Sequence, residues 1–135
     1  MQLLVQHGIM TYKLLVVDDS EPIRTRLCCL LQSIPGITAI DQASTLATAL
    51  DCVRRNAPTL VVLDLYLPDG LGLDIIATLK QISPGLQIAM LTLHGKDSYR
   101  QNCLARGADW FFDKAGEIDT LLLLVRQQVA HQATD

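Results

Sequence analysis

Short apolar runs alternate with amphipathic stretches along most of the chain. Residues 14–17 and 60–63 are uninterrupted leucine and valine, residues 87–91 are largely apolar, and weaker runs lie at residues 37–43 and 110–112. Strands that are apolar throughout, rather than at every second position, are typical of a parallel sheet covered on both faces. The pattern therefore predicts five buried strands.

The stretches after these runs carry apolar residues at helical spacing. In the first, Ser20 is a candidate N-cap, Pro22 lies in the first turn, and a Pro-Gly pair at residues 35–36 ends the helix. Further helices are predicted around residues 46–53, 73–79, 97–105 and 117–130, with Gly107 capping the fourth. Five β–α units predict an α/β fold: a doubly wound, flavodoxin-like, five-stranded parallel sheet with strand order 2-1-3-4-5 and helices on both faces.

Polar residues follow four of these strands at the point where each ends. Asp18 and Asp19 come after the first strand, Asp64 after the third, Thr92 after the fourth and Lys114 shortly after the fifth. Parallel strands end at one edge of the sheet, where such folds bind their ligands. Three carboxylates gathered there repel one another unless a cation neutralises them or their pKa values rise. Oxygen ligands suit a hard cation, Mg²⁺ or Mn²⁺.

The same residues predict phosphoryl transfer. Lys114 supplies positive charge for an incoming phosphoryl group, and Thr92 supplies a hydroxyl. A carboxylate is then the protein nucleophile that the site offers. Attack of a carboxylate on phosphorus gives an acyl phosphate.

Composition narrows the range of functions. The chain has 135 residues, 50% of them hydrophobic and 19% charged, which predicts one globular domain. A net charge of −3 and scattered basic residues argue against direct nucleic-acid binding.

No apolar run approaches the roughly 20 residues that span a membrane, and the first residues make a poor signal peptide, so a cytoplasmic location is expected. The four cysteines lack metal-ligand spacing and are expected to be buried thiols.

In order and spacing, these residues resemble the receiver domain of two-component response regulators. The resemblance covers residues 12 to about 130 and rests on four segments. They are the acidic pair Asp18-Asp19, LVVLDLYLPDGLGLDII around Asp64, MLTLH at Thr92 and GADWFFDK ending at Lys114.

The resemblance implies a signalling switch, not an enzyme that turns over a released substrate. A histidine kinase or phosphotransfer protein would donate the phosphoryl group. The surface made by the fourth helix, fifth strand and fifth helix would then change to control an unknown output partner or to form a homodimer.

Carried over by position, the resemblance implies a cation site beside the phospho-acceptor. Asp64 accepts the phosphoryl group and is also a cation ligand. Asp19 is a direct ligand, and Asp18 holds the cation largely through water. The backbone carbonyl of Tyr66 completes the protein's share of the coordination.

The resemblance also implies a switch. Thr92 moves to bond the phosphoryl group, and Lys114 pairs with it. Phe111 occupies the position of the rotating aromatic residue, but as a phenylalanine it lacks the hydroxyl hydrogen bond of tyrosine members.

Some features depart from the family pattern. Ala115 stands where many receivers have a proline after a cis peptide bond, so a cis bond is less expected here. Leu93 is bulkier than the residue that usually follows the switch threonine. The Thr-Leu-His run resembles receivers that carry a C-terminal helix-turn-helix domain, but no such domain is present. The chain is therefore expected to be either a stand-alone receiver or a piece of a longer DNA-binding regulator.

The predicted division of the chain has three parts. Residues 1–11 are an N-terminal extension, residues 12–131 are the receiver domain, and residues 132–135 are a tail.

Two finer hypotheses concern side chains around the site. Tyr66 and His94 lie two residues after Asp64 and Thr92, and they are expected to overhang the acyl phosphate and slow its hydrolysis; alternatively, they only cap the loop surface. In the last helix, an apolar stripe faces the core and consists of Ile118, Leu121, Leu122, Val125 and Val129. Leu123 and Leu124 lie outside this stripe, and at least Leu124 is expected to point away from it. Such residues predict a docking or dimer face, unless they are buried at the margin of the stripe.

Three other classes of protein fit the sequence less well. Aspartate-nucleophile phosphatases need a second carboxylate where this chain has Tyr66. Flavodoxin-like nucleotide or flavin binders need glycine and hydroxyl residues after the first strand, where Asp18 and Asp19 would repel a phosphate. A degenerate receiver that acts only as a protein-interaction module is the main alternative, and the intact acidic pair, acceptor, threonine and lysine argue against it.

Overall fold

The structure, a computed structural model, describes residues 11–93 and 97–134 of the chain. Five strands form the main sheet: β1 (Lys13–Val17), β2 (Ala39–Ala43), β3 (Leu60–Leu63), β4 (Gln87–Thr92) and β5 (Trp110–Asp113). Five helices accompany them: α1 (Glu21–Gln32), α2 (Leu46–Asn56), α3 (Ile76–Ile82), α4 (Asp97–Ala105) and α5 (Ile118–Thr134). A short hairpin pairs Tyr66–Leu67 with Gly70–Leu71, and a 3-10 turn, Gly72–Ile75, leads into α3.

The sheet is parallel throughout, in the order β2-β1-β3-β4-β5. This confirms the predicted fold and strand order. The order reverses between β1 and β3, so the carboxyl ends of these two neighbouring strands meet at the switch point where such sheets bind ligands.

Each face of the sheet is covered by helices, and successive residues of a strand point to opposite faces. In β1, Leu15 and Val17 join a buried cluster with residues of α2, α3 and α4. Leu14 and Val16 join a second cluster with residues of α1 and α5. β1 after Lys13 and all of β3 are apolar because both faces are buried there, whereas the edge strand β2 contains Asp41 and Gln42 and is fully buried only at Ala43.

The helix signals are largely confirmed, but the predicted start of the third helix at residue 73 lies in the 3-10 turn, and α3 begins at Ile76. The Ser20 side chain accepts a hydrogen bond from the Ile23 N–H and caps α1. Gly107 adopts φ 117° just past α4, as expected for a C-terminal cap. β2 begins at Ala39 instead of residue 37, because the Ile37 N–H bonds the Ile34 carbonyl in a turn. At the other end of the chain, α5 continues to Thr134, past its predicted end at residue 130.

The prediction that Leu124 points away from the core is wrong. Leu124 packs against the α1–α5 cluster, whereas Leu123 is the exposed residue, at 53%. The cause is helical geometry: Leu124 lies three residues after the fully buried Leu121 and shares its side of the helix, while Leu123 lies two residues after it and does not.

The peptide bond before Ala115 is trans, since the described residues contain no cis peptide bond. Within the same residues, no helix combines the length and the apolar character needed to cross a membrane.

Candidate functional site

Backbone hydrogen bonds continue the parallel ladder beyond the strand ends and place the site residues side by side. The Asp64 N–H donates to the Val17 carbonyl across 3.0 Å, which sets Asp64 next to the end of β1. The Lys114 N–H donates to the Thr92 carbonyl across 2.9 Å. The residues that follow β1, β3, β4 and β5 therefore converge at one edge of the sheet.

Asp18, Asp19 and Asp64 form an acidic cluster at this edge. One carboxylate oxygen from each residue lies within 4.8 Å of the others. Asp18 and Asp64 are buried, and Asp19 is exposed to solvent. The predicted acidic set is thus brought together, and its oxygen donors fit a hard divalent cation.

Lys114 reaches into the cluster and contacts two of its carboxylates. Its ammonium nitrogen donates to Oδ2 of Asp18 and, across 2.9 Å, to Oδ2 of Asp64. Burial lowers the pKa of Lys114, but the hydrogen bonds and charges of the two carboxylates outweigh that effect, so the pKa lies above its ordinary value. Lys114 is therefore charged at neutral pH.

The Asp64 carboxylate is held at both oxygens. Its Oδ1 accepts a hydrogen bond from the Leu65 N–H at 2.7 Å, and its Oδ2 accepts one from Lys114. Burial raises the pKa of Asp64 above its ordinary value, and the charge of Asp18 adds to this effect while Lys114 opposes it. The group has a fixed orientation and a desolvated surface, and both properties suit a nucleophile.

Thr92 is buried, at 1% exposure, and its hydroxyl oxygen has no hydrogen-bond partner among the described residues. Buried hydroxyl groups are almost always paired, because an unpaired one costs free energy. The same residue lines an open cavity of about 250 Å³ together with Asp64, Lys114, Tyr66 and the exposed Leu93. The hydroxyl oxygen itself is enclosed, so a ligand in that cavity would bond it only after the side chain moves.

Asp18 is supported by contacts that the sequence analysis missed. The Ser20 N–H donates to Oδ1 of Asp18 across 2.9 Å. The Arg24 guanidinium, one turn into α1, donates to the Asp18 backbone carbonyl across 2.7 Å. The spacing of an arginine six residues after an acidic pair carries no recognisable motif, so only the fold reveals this contact.

The loop after Asp64 is fixed by two further residues that the sequence analysis did not single out. A Cβ atom on Gly72 would overlap the Asp64 carbonyl oxygen and lie 3.1 Å from Leu63 Cγ. The Asp69 carboxylate accepts hydrogen bonds from the Leu46 N–H at 2.8 Å and the Ala47 N–H at 3.1 Å, at the start of α2. The Asp-Gly-Leu-Gly run was a visible signal of a tight loop, but its partners were not.

Phe111 and Tyr66, two predicted site residues, have their side chains directed to α4. Phe111 is buried at 4% exposure in the cluster beneath α2, α3 and α4, away from the cavity, with the Arg100 guanidinium 5.8 Å from its ring centroid. The Tyr66 ring meets Tyr99 edge to face, with centroids 6.0 Å apart. His94, the partner predicted for Tyr66, lies outside the described residues.

A model of the response regulator receiver domain family matches residues 14–126. The chain belongs to this family. As a response regulator receiver domain, it is a component of a two-component system. Each of the four segments that resemble the family contributes a residue to the group that converges at the edge of the sheet.

Three comparisons show the range of similarity. The receiver domain is 31% identical over 102 residues to the DNA-binding transcriptional activator DevR/DosR of Mycobacterium tuberculosis, covering 76% of this chain and 47% of that protein. It is 27% identical over 120 residues to the response regulator GacA of Pseudomonas aeruginosa, covering 89% of this chain and 56% of that protein. The chain spans about half the length of these relatives. The beryllofluoride-activated NtrC4 receiver domain dimer matches with a TM-score of 0.79 and 29% identity, covering 89% of this chain and 98% of that chain.

Proposed function

We propose that this receiver domain accepts a phosphoryl group on Asp64 from a phosphohistidine donor and changes its surface in response. The observation that carries the proposal is the buried Thr92 hydroxyl, which has no partner among the described residues and lines one cavity with Asp64 and Lys114. A bound phosphoryl group would offer that hydroxyl an acceptor and Lys114 an anion.

The transfer step is a displacement at phosphorus. A carboxylate oxygen of Asp64 forms the new P–O bond while the P–N bond to the donor histidine breaks, and its electron pair returns to the imidazole nitrogen. Lys114 neutralises charge on the phosphoryl oxygens, and Thr92 donates a hydrogen bond to one of them. Hydrolysis later breaks the acyl phosphate and regenerates the Asp64 carboxylate with inorganic phosphate.

A divalent cation, Mg²⁺ or Mn²⁺, fits the charge of the site. Three carboxylates and one ammonium leave two negative charges, which a divalent ion would neutralise. Asp19, Asp64 and the Tyr66 backbone carbonyl would bind it directly, and Asp18 largely through water. When bound, the cation supplies charge stabilisation for the phosphoryl oxygens.

The donor is a histidine kinase or a phosphotransfer protein, and the reaction takes place in the cytoplasm. The responding surface is the face of α4, β5 and α5, with Phe111 as the rotating residue that links it to the site. Leu104 on α4 and Leu123 on α5 are exposed there and would contact an output partner or a second copy of the chain.

Tyr66 and His94 control the lifetime of the acyl phosphate. Tyr66 lines the cavity and is 41% exposed, so its side chain would cover one side of a phosphoryl group on Asp64 by turning away from Tyr99. With Tyr66→Ala and His94→Ala, we expect faster dephosphorylation. Unchanged rates in both variants would mean that these residues only cap the loop surface.

The acceptor is tested by measuring the intact mass of the protein after incubation with acetyl phosphate, with and without Mg²⁺. We expect one phosphoryl group per chain in the wild type and in Asp51→Asn, an exposed aspartate on α2 paired with Arg55. We expect none in Asp64→Asn or without Mg²⁺. No mass gain, either from acetyl phosphate or from a phosphorylated histidine donor, would refute the proposal in favour of an interaction module.

A further inference from the structure

The peptide unit between Asp18 and Asp19 joins two members of the acidic cluster. A peptide unit is planar, so the direction of the Asp18 carbonyl also sets the direction of the Asp19 N–H and the relative placement of the two residues. The Asp18 N–H is already fixed, because it donates to the Ala43 carbonyl of β2 across 3.0 Å. The group that holds the Asp18 carbonyl therefore affects the geometry of the whole acidic pair.

Arg24 holds that carbonyl. Its Nη1 donates to the Asp18 carbonyl oxygen across 2.7 Å, and its Nε donates to Oε1 of Gln42 on β2 across 3.1 Å. The guanidinium presents its donors in a rigid planar fork, so two bonded points define its orientation. Arg24 is half-buried and lies on α1, four residues after the Ser20 cap. Its side chain thus connects α1 and β2 to the peptide unit between the two aspartates.

The charge of Arg24 and the position of its hydrogen bonds have opposite consequences for a cation at the acidic cluster. The guanidinium is positively charged, and it bonds the backbone oxygen of Asp18, not the carboxylate. Its charge would repel a divalent cation bound nearby. By charge alone, removal of Arg24 should therefore strengthen cation binding. A role in holding the peptide unit predicts weaker binding, so the sign of the change separates the two effects.

We propose that Arg24 is a positioning residue of the cation site, and that it fixes the Asp18–Asp19 peptide unit in the geometry that binds a divalent cation. The inference rests on the proposed function, which assigns the cation to this acidic cluster. Arg24 acts through the backbone and touches neither the cation nor the phosphoryl group. Replacing a residue that orients metal ligands typically lowers metal affinity about ten- to a hundredfold.

Arg24→Met keeps much of the apolar stem and removes both donors. We expect the dissociation constant for Mn²⁺ to rise about tenfold, although the substitution removes a positive charge. Electron paramagnetic resonance measures the free Mn²⁺ directly, and Asp19→Asn, which should lose most of the binding, identifies the site. Arg26→Met is the matched control, because Arg26 is an exposed arginine on the same helix. Its loss should leave the affinity unchanged or slightly stronger.

A substitution that leaves the charge unaltered tests the same contact from its other end. The Gln42 side chain is exposed and bonds the Arg24 guanidinium. Gln42→Ala releases the Nε of Arg24, so we expect the dissociation constant for Mn²⁺ to rise about two- to fivefold. In the Arg24→Met background, Gln42→Ala should have no effect, because the connection is already broken. A double-mutant cycle of the four proteins measures this coupling.

The peptide unit itself can be observed by NMR without a cation. The residual dipolar coupling of the Asp19 N–H reports the orientation of that bond, and the ¹³C shift of the Asp18 carbonyl reports its hydrogen bond. In ligand-free Arg24→Met, we expect both to differ from the wild type, while the couplings of β3, β4 and β5 stay the same. Damage to the fold as a whole would instead change the couplings throughout the sheet.

The positioning role is overturned if Arg24→Met binds Mn²⁺ as tightly as the wild type or more tightly, or if the Asp19 coupling is unchanged. Equal effects of Gln42→Ala in the two backgrounds would also overturn it. Failure of the wild type to bind Mn²⁺ would count instead against the cation site of the proposed function. The NMR comparison of the ligand-free proteins would then still decide whether Arg24 holds the peptide unit.

Discussion

Thr92 shows how one side chain can combine a cost in stability with a role in the site. Its hydroxyl is buried and has no partner among the described residues, and the residue lines one cavity with Asp64 and Lys114. Such a group lowers the stability of the ligand-free protein, because it has left water without gaining a hydrogen bond. A phosphoryl group on Asp64 would provide the missing acceptor.

Replacement of Thr92 should therefore change stability and phosphoryl binding in opposite directions. In Thr92→Val, which keeps the side-chain shape, we expect the free energy of unfolding to rise by about 1 kcal/mol. We also expect weaker beryllofluoride binding. Urea unfolding and a beryllofluoride titration measure the two effects, with Thr92→Ser as the variant that keeps the hydroxyl. A loss of stability in Thr92→Val would show that the hydroxyl has a partner within the protein.

At the scale of elements, the loop between β3 and α3 carries much of the precision of the site. It leaves β3 at Asp64, forms the short hairpin, and returns so closely that Gly72 lies against the Asp64 carbonyl. The Gly72 N–H also bonds the Leu65 carbonyl at 2.7 Å. Both contacts fix the backbone at the acceptor and at the residue that follows it.

Gly72 should tolerate no side chain. In Gly72→Ala, the Cβ atom would overlap the Asp64 carbonyl, and the backbone must shift to relieve the overlap. We expect a loss of about 1–3 kcal/mol in the free energy of unfolding, together with slower phosphorylation by acetyl phosphate. Gly85→Ala is the matched control, because its Cβ would meet no atom within 4 Å and should change stability by less than about 0.5 kcal/mol. Equal behaviour of the two variants would contradict the packing argument.

Asp69 links the same loop to α2 and makes a pH-dependent contribution to stability. Hydrogen bonds from the Leu46 and Ala47 N–H groups hold the pKa of Asp69 below its ordinary value. A carboxylate with a lowered folded-state pKa stabilises the fold above the unfolded-state pKa of about 3.9. That contribution is lost as the pH falls through the folded-state value.

We therefore expect Asp69→Asn to unfold at a lower urea concentration than the wild type at pH 7, and the difference to shrink below pH 4. Urea unfolding between pH 3 and pH 7 gives both values. Asp51→Asn is the control, because Asp51 is an exposed aspartate in the interior of α2 that pairs with Arg55 and does not cap a helix N-terminus. A difference from the wild type that stayed constant over this pH range would rule out the carboxylate as the source.

At the scale of the whole molecule, one edge of the sheet holds the candidate site, while the proposed responding surface involves α4, β5 and α5. Exposed apolar side chains lie on both helices of that surface, with Leu104 at 41% and Leu123 at 53% exposure. Either side chain would suit an interface that forms on activation, because burying it there removes apolar surface from water.

If activation produces a dimer through this face, Leu123→Gln should weaken it. We expect the dimer dissociation constant at saturating beryllofluoride and Mg²⁺ to rise about tenfold, or about 1.4 kcal/mol, through loss of apolar burial. Light scattering over a concentration series measures it. Leu93→Gln is the control, since Leu93 is equally exposed, at 51%, but lies beside the cavity near Ile23. A dimer that is unaffected by Leu123→Gln would place the interface elsewhere, and an absent dimer would leave the face to another partner.

The sequence by itself determined the fold class, the strand order and the set of residues at the strand ends. It could do so because strands buried on both faces are apolar at every position, and because parallel strands bring their carboxyl ends to one edge. Asp18, Asp64, Thr92 and Lys114 followed directly from that rule. Their roles in phosphoryl transfer stay predictions until the acceptor is measured.

Only the tertiary structure decided which groups touch across long sequence separations. The contacts of Lys114 with Asp18, of Asp69 with the start of α2 and of Arg100 with Phe111 join residues whose pairing has no periodic signal. Periodicity reports which face of an element is buried, whereas individual side-chain contacts depend on how the packed elements are placed against one another.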